Sequence, residues 1–473
     1  MLQFTHIDQQ QPEKRAVSQR KTDFNEIYQG FTPGGAKTQA SRCSQCGVPF
    51  CSVHCPLNNN IPDWLKLTAE GRLDEAYEIS AATNNFPEIC GRICPQDRLC
   101  EGNCVIERDF DSVTIGAIER FVTEHAFTEG WVKPLKPREE LDQSIGIIGA
   151  GPGGLAAAEE LRRRGYQVHV YDRHDRIGGL LIYGIPGFKL EKEIVLRRGD
   201  LLKQGGIKFH LNVEIGRDIT FSELRARHDA VLIATGVYQS RDIGGPGSGL
   251  PGIIPAIDFL TAANRVSLGD QVSGYDEGTL NAAGKRVVVI GGGDTAMDCV
   301  RTSVRQGAHS VTCLYRRDRA NMPGSMREVT NAEDEGVRFA WLSAPEAFLG
   351  NDTVTGVRAS RMRLGLPDSS GRQSVESISD SAFTLDSDLV LKALGFDPED
   401  LPSLWDEPRL TATRWGTLKV NQKTFETSLP GVYAAGDIVR GASLVVWAIK
   451  DGRDAASAIH KSLAAAAYEM AAE

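Results

Sequence analysis

Ile145-Gly-Ile-Ile148, Gly149-Ala-Gly151-Pro-Gly153-Gly154, an Ala/Leu/Glu/Arg run to Arg164, and Tyr166-Gln-Val-His-Val-Tyr-Asp172 form one continuous stretch. An apolar run, a G-x-G-x-x-G turn, a helix former and a second alternating run spell one βαβ unit. Gly149 permits the tight turn, Gly151 lets the backbone approach a pyrophosphate, and Gly154 lets helix and strand pack closely. The helix N-terminus adds N–H groups and partial positive charge. Asp172, at the end of the second strand, is placed to accept hydrogen bonds from a ribose diol. A glycine-rich turn alone is weak evidence. Strand, helix and terminal acid all in position make it a dinucleotide site.

The surrounding chain has 473 residues, so two or three domains are expected. Apolar and charged fractions of 41% and 24% describe a soluble globular protein. No leading apolar stretch suggests a signal peptide or membrane span, and cytoplasmic residence is expected. A net charge of −9 argues against general nucleic-acid binding. Of ten cysteines, eight lie between Cys43 and Cys104, and only Cys299 and Cys313 stand elsewhere. In a reducing compartment such crowding indicates metal or cluster ligation.

Residues 1 to about 40 read as an extended polar arm. Cys43-x2-Cys46-x4-Cys51-x3-Cys55-Pro56 follows, then a helical segment from Pro62 to Asn84, then Cys90-x3-Cys94-Pro95-x5-Cys100-x3-Cys104. Two groups, each with a cysteine before proline, suit paired iron–sulfur clusters that exchange ligands. Zinc is the competing metal, since Cys-x2-Cys is also a zinc half-site. His54 reads as a loop side chain. A helix near Thr114–Thr128 and the linker Lys133–Glu140 close this part.

Beyond Asp172, the glycines of Arg176–Pro186 suit backbone lying against a flat ligand or phosphate. Asp229–Gly236 reads as a buried strand, and the loop Arg241–Gly252 as a crossing into another domain. There a second fingerprint appears: the strand Arg286–Ile290, the turn Gly291-Gly-Gly293-Asp294-Thr295-Ala296, a helix to Gln306 and a strand to Tyr315. It ends in Arg316-Arg317 rather than an acid. Arginines match a 2′-phosphate, which favours NADPH, although a solvated basic pair would look the same. Residues 337–392 read as short strands with polar turns, and Gly431–Asp437 as a strand and Gly-Asp turn before a C-terminal helix. A nicotinamide gives two electrons together, whereas clusters carry one at a time, so a flavin is needed between them. The first unit is therefore expected to hold FAD and the second NADPH.

The chain also resembles the small (β) subunits of bacterial NADPH-dependent glutamate synthases, essentially end to end. The resemblance lies in Cys90-Gly-Arg-Ile-Cys94-Pro-Gln-Asp-Arg-Leu-Cys100-Glu-Gly-Asn-Cys104, Gly178-Gly-Leu-Leu-Ile-Tyr-Gly-Ile-Pro186, Gly291–Arg305 and Ala435-Gly-Asp-Ile-Val-Arg440. The architecture is similar to the amino-terminal half of dihydropyrimidine dehydrogenase and to the large subunit of bifurcating NADPH–ferredoxin oxidoreductases. It implies an α-helical iron–sulfur domain (1–143), a Rossmann-like FAD domain (144–252 and 395–473) and an inserted NADPH domain (253–394). FAD would be held by Gly149, Gly151, Gly153, Gly154, Asp172, Gly179, Gly184, Ile185, Gly236, Gly436 and Asp437. NADPH would meet Gly291, Gly293, Asp294, Thr295, Ala296, Arg316 and Arg317. The resemblance further implies one [4Fe-4S] cluster on Cys43, Cys46, Cys51 and Cys104. A second would sit on Cys55, Cys94, Cys100 and Glu119, with Cys90 free. The expected partner is a large subunit in a hetero-oligomer, to which electrons from NADPH pass for glutamate synthesis. A pyrimidine or ferredoxin acceptor is the alternative, and a zinc-bearing NADPH-binding scaffold a more distant one.

Overall fold

The computed structural model describes residues 1–368 and 373–472. Two parallel sheets dominate it. In the first, the strands run Val432–Ala434, Ala230–Ile233, Ser144–Ile148, Gln167–Asp172 and Lys208–Leu211. In the second they run Ile253–Pro255, Leu389–Lys392, Arg286–Ile290, Ser310–Leu314 and Arg338–Ala340. The fingerprint strand is central in both, with Ile147 between Val170 and Leu232 and Val289 between Cys313 and Leu391. Such strands are buried on both faces, which explains their unbroken apolar runs. The fold is thus α/β, with two Rossmann-like units, one set inside the other, behind a helical cysteine-rich region.

The chain leaves the first sheet and returns to it through a short antiparallel ribbon. Gln239–Ser240 pairs with Phe396–Asp397, and Arg241 N donates to Gly395 O at 3.0 Å. An antiparallel sheet of Ser343–Gly350, Val354–Pro367, Gln373–Ser377 and Phe383–Asp386 flanks the second unit. Its longest strand has 14 residues and is not short as the sequence suggested. The residues 369–372 lie outside the described part.

The helical segment expected over Pro62–Asn84 is two helices, Ile61–Glu70 and Leu73–Thr83. Gly71 separates them at φ 86°, a left-handed cap that glycine adopts without strain. Trp64, Leu65, Ala76, Ile118 and Val122 form the local core, where each fully buried large side chain contributes about 1.5–3 kcal/mol. The helix Ile115–Thr128 stands where expected. The amino-terminal arm is neither wholly extended nor free: it carries the helices Val17–Arg20 and Pro33–Ala40, and its Arg20 and Ile27 are buried. Among the described residues no helix is long and apolar enough to cross a membrane.

Candidate active site

The first glycine turn opens onto a cavity of about 350 Å³ lined by Gly149, Gly151, Gly153, Asp172, Gly236, Gly436 and Asp437 among others. Its glycines have separate duties. Gly149 sits at φ 111°, where a Cβ would lie 2.3 Å from Ala234 O. A Cβ on Gly154 would lie 2.0 Å from Gly149 O, whereas one on Gly151 would meet nothing within 4 Å. Gly151 is therefore bare toward the cavity, and the helix Pro152–Arg163 begins beside it. Asp172 accepts hydrogen bonds from Ala150 N at 2.7 Å and His174 N at 2.8 Å. His174 Nδ1 also lies 3.0 Å from Oδ1, so Oδ2, which has Ala150 N alone, is the oxygen that retains capacity for a hydroxyl. Burial, with Asp451 nearby, raises the Asp437 carboxyl to about 6. Gly179 packs against Gly151, Ile185 faces a different cavity, and Gly184 lines neither.

The second turn repeats this geometry. Gly291 has φ 146° and a Cβ there would lie 2.2 Å from Ala393 O, while Gly293 is open. Ala296 is fully buried in the helix Asp294–Arg305, in the place that Gly154 takes in the first unit. Asp294 accepts from Ser325 N at 2.9 Å, which ties the turn to the loop before Met326. Arg316 is exposed and Arg317 half-buried, and both line an open groove with Gln373 and Ser374. Arg317 Nη2 donates to Gln373 O at 3.1 Å.

The cysteines fall into two neighbourhoods. Cys43, Cys51 and Cys104 lie near one another, with Cys46 beside Cys43 and Cys104, close enough that a charge on one would push its neighbours' thiols up. Cys55, Cys90, Cys94, Cys100 and Glu119 surround a cavity of about 30 Å³. Burial pushes the Cys51 thiol up to about 12 and Cys55 up to about 11. Thiols so desolvated ionise only beside a strong positive charge, and a metal cluster provides one. Among the described residues no three His, Cys, Asp or Glu side chains are grouped to hold a single ion. Glu119 accepts from Asn84 Nδ2 at 3.2 Å and Ser80 Oγ at 3.3 Å, and burial raises its carboxyl to about 7. Cys90 lines the same cavity as Glu119, so both reach the second neighbourhood.

A junction cavity of about 240 Å³ joins these parts. It shares Leu180, Ser443, Leu444 and Val445 with the first nucleotide cavity. It shares Cys90, Cys94 and Val446 with the small cysteine cavity. Asp294, Thr295 and Ser325 bring the second unit to the same wall. The sequence reading did not find Leu180, the 443–446 segment, or the cross-unit pair Lys189–Asp298 at 2.9 Å. For the 443–446 segment the Gly-Asp turn at Gly436 was the nearest signal, since that segment follows it and leads into the helix Val445–Ala472.

Fold and site together define an oxidoreductase of the pyridine nucleotide-disulphide class. The family description pyridine nucleotide-disulphide oxidoreductase matches residues 143–452, and dihydropyrimidine dehydrogenase domain II, 4Fe-4S cluster, matches residues 20–131. The glutamate synthase (NADPH) small chain of Azospirillum brasilense is 64% identical, covering 100% of this chain and 99% of its own. That of Escherichia coli K12 is 46% identical, covering 97% and 98%. The chain belongs to the glutamate synthase (NADPH) small-chain family. Mycobacterium tuberculosis FprA, solved in complex with NADPH, shares the fold at a TM-score of 0.59 and 21% identity, over 71% of this chain and 86% of its own.

Proposed function

We propose that this cytoplasmic chain oxidises NADPH and delivers the electrons to a large subunit that makes glutamate from glutamine and 2-oxoglutarate. The observation that carries the reading is the run of adjoining cavities from the first nucleotide turn, past the second, to Cys94 and Glu119.

The residues fit the cofactors this requires. Gly151 leaves space for the FAD pyrophosphate, Asp172 keeps an acceptor for its ribose, and Gly436-Asp437 close the cavity. Gly293, Asp294 and Thr295 suit the NADPH pyrophosphate, with Arg316 and Arg317 toward the 2′-phosphate. Cys43, Cys46, Cys51 and Cys104 would hold one [4Fe-4S] cluster and Cys55, Cys94, Cys100 and Glu119 a second. Bound together, these groups convert a two-electron hydride donor into single-electron output. The protein orients them and keeps water out: Leu180, Leu444 and Val445 form an apolar boundary between the cavities. Val48, Phe50, Val53 and Val105 are exposed large apolar residues beside Cys46, Cys51 and Cys104, Phe50 and Val53 on the one-turn helix Phe50–Val53 that carries Cys51. Clustered apolar exposure marks an interaction surface, and this one supports docking of the large subunit beside the first cluster.

The purified, cofactor-loaded chain should oxidise NADPH with artificial acceptors and make no glutamate from glutamine and 2-oxoglutarate. Glutamate formation by this chain alone would overturn the subunit reading.

A further inference from the structure

We propose that residues 11–28 of the amino-terminal arm form a wall of the nicotinamide pocket and latch the second nucleotide unit to the rest of the chain. The inference rests on reading the junction cavity as the place where the nicotinamide is held.

Gln11, Pro12, Glu26, Ile27 and Tyr28 line that cavity together with Asp294 and Thr295. The arm doubles back on itself to do so, with Arg15 N donating to Ile27 O and Gln29 N to Glu13 O, both at 2.9 Å. It is anchored on three sides. Toward the second unit, Lys14 Nζ donates to Asn331 Oδ1 at 2.9 Å, and Asn331 Nδ2 donates to Tyr28 Oη at 3.3 Å. There too, Arg20 reaches Asp334 at 3.1 Å and Glu335 at 3.3 Å. Toward the cysteine region, Glu26 pairs with Arg92 and Arg120, each at 2.7 Å. Toward the first unit, Ile27 N donates to Phe188 O at 3.3 Å and Glu191 N to Glu26 Oε1 at 3.2 Å. A solvated tail has no reason to desolvate an arginine and a glutamate, because buried charges are costly unless paired. Here both are buried and both are paired, Arg20 with the second unit and Glu26 with the cysteine region, so the arm's placement is built into the fold. The helix Met326–Asp334 and the adjoining Glu335 receive the latch, and Arg327 and Glu328 on that helix line the same cavity.

The test is backbone hydrogen exchange of segment 11–28 in the flavin- and iron-loaded enzyme, with NADP⁺ or with 2′,5′-ADP. The second ligand carries the phosphates of the adenosine end but no nicotinamide. NADP⁺ should slow exchange in the arm by about tenfold, equivalent to about 1.4 kcal/mol of added closure, and 2′,5′-ADP should leave it unchanged. Arg20→Gln should raise the Kd for NADP⁺ while that for 2′,5′-ADP, and the flavin and iron contents, stay as in the natural protein. Bound NADP⁺ without arm protection, or equal protection by 2′,5′-ADP, would overturn the wall. Failure of NADP⁺ to bind at all would sink the functional reading beneath it. If Arg20→Gln does not fold, the exchange comparison on the natural chain still decides.

Discussion

Within the two nucleotide turns, Gly151 and Gly293 are the positions where an added Cβ meets no protein atom, and that openness separates them from the glycines around them. Gly151→Val should yield flavin-poor protein, whereas Gly293→Val should keep its flavin and lose reduction by NADPH. Absorbance at the flavin band, before and after NADPH, checks both, and flavin loss confined to Gly293→Val would reverse the assignment. Arg316→Ala should weaken NADPH about tenfold to 150-fold, the worth of a charged hydrogen bond, and barely touch NADH. Equal losses for both nucleotides would remove Arg316 from the phosphate site. The choice between Cys90 and Glu119 also belongs to this scale, because both line one small cavity. Iron analysis should find Cys90→Ser with its full complement and Glu119→Ala depleted or spectrally altered, and the opposite pattern exchanges their roles. The steric constraints on Gly149, Gly154 and Gly291 were legible in the sequence because the motif spacing has a steric reason at each, whereas the Arg316-Arg317 spacing fits a phosphate reader and a solvated pair alike. Gly153 was read with those glycines, yet a Cβ there would lie 3.2 Å from Ala448 O and one on Gly452 2.1 Å from Gly153 O. Its nearest neighbour is the C-terminal helix Val445–Ala472, a contact far away in sequence that no local pattern announces.

At the scale of elements, both fingerprint strands and their helices were legible because a strand buried on both faces leaves an unbroken apolar run. The break at Gly71 was not, since apolar spacing continues across it and only the backbone turns. Four neighbouring strands or their flanks in the first sheet carry a feature the sequence reading passed over. His169 Nδ1 lies 3.0 Å from His210 Nε2, and His228 bonds Ser144 Oγ at 2.6 Å and Tyr171 Oη at 3.0 Å. Burial, and then the neighbouring histidines, lower His228 to about 4 from an ordinary 6.5. Between these values the unfolded chain takes up a proton that the folded one refuses. The stability contribution is full above pH 6.5 and is lost as pH falls toward 4. Thermal melts from pH 7.5 down to 4.5 should fall more steeply for the natural protein than for His228→Gln. Parallel curves would show that this ring does not govern the acid limb.

The whole molecule is where sequence reading had least to work with. The junction cavity takes Tyr28 from the arm, Cys94 from the cysteine region, Leu180 and Leu444 from the first unit and Thr295 from the second. Spacing between such residues carries no signal, because only the packing of finished units brings them together. The expected insertion of one unit in the other came from a resemblance and not from any periodicity.

The ribbon through which the chain enters and leaves the second unit has a consequence for protein surgery. Ser240 and Phe396 are directly opposed antiparallel partners, which is the geometry a two-residue hairpin turn closes. Joining them through Asn-Gly, with residues 241–395 removed, asks the remaining chain to bridge no gap. The shortened protein should still colour yellow with flavin and yet be blind to NADPH. The same two cut points would accept a foreign nucleotide cassette, so the choice of electron donor becomes a replaceable part.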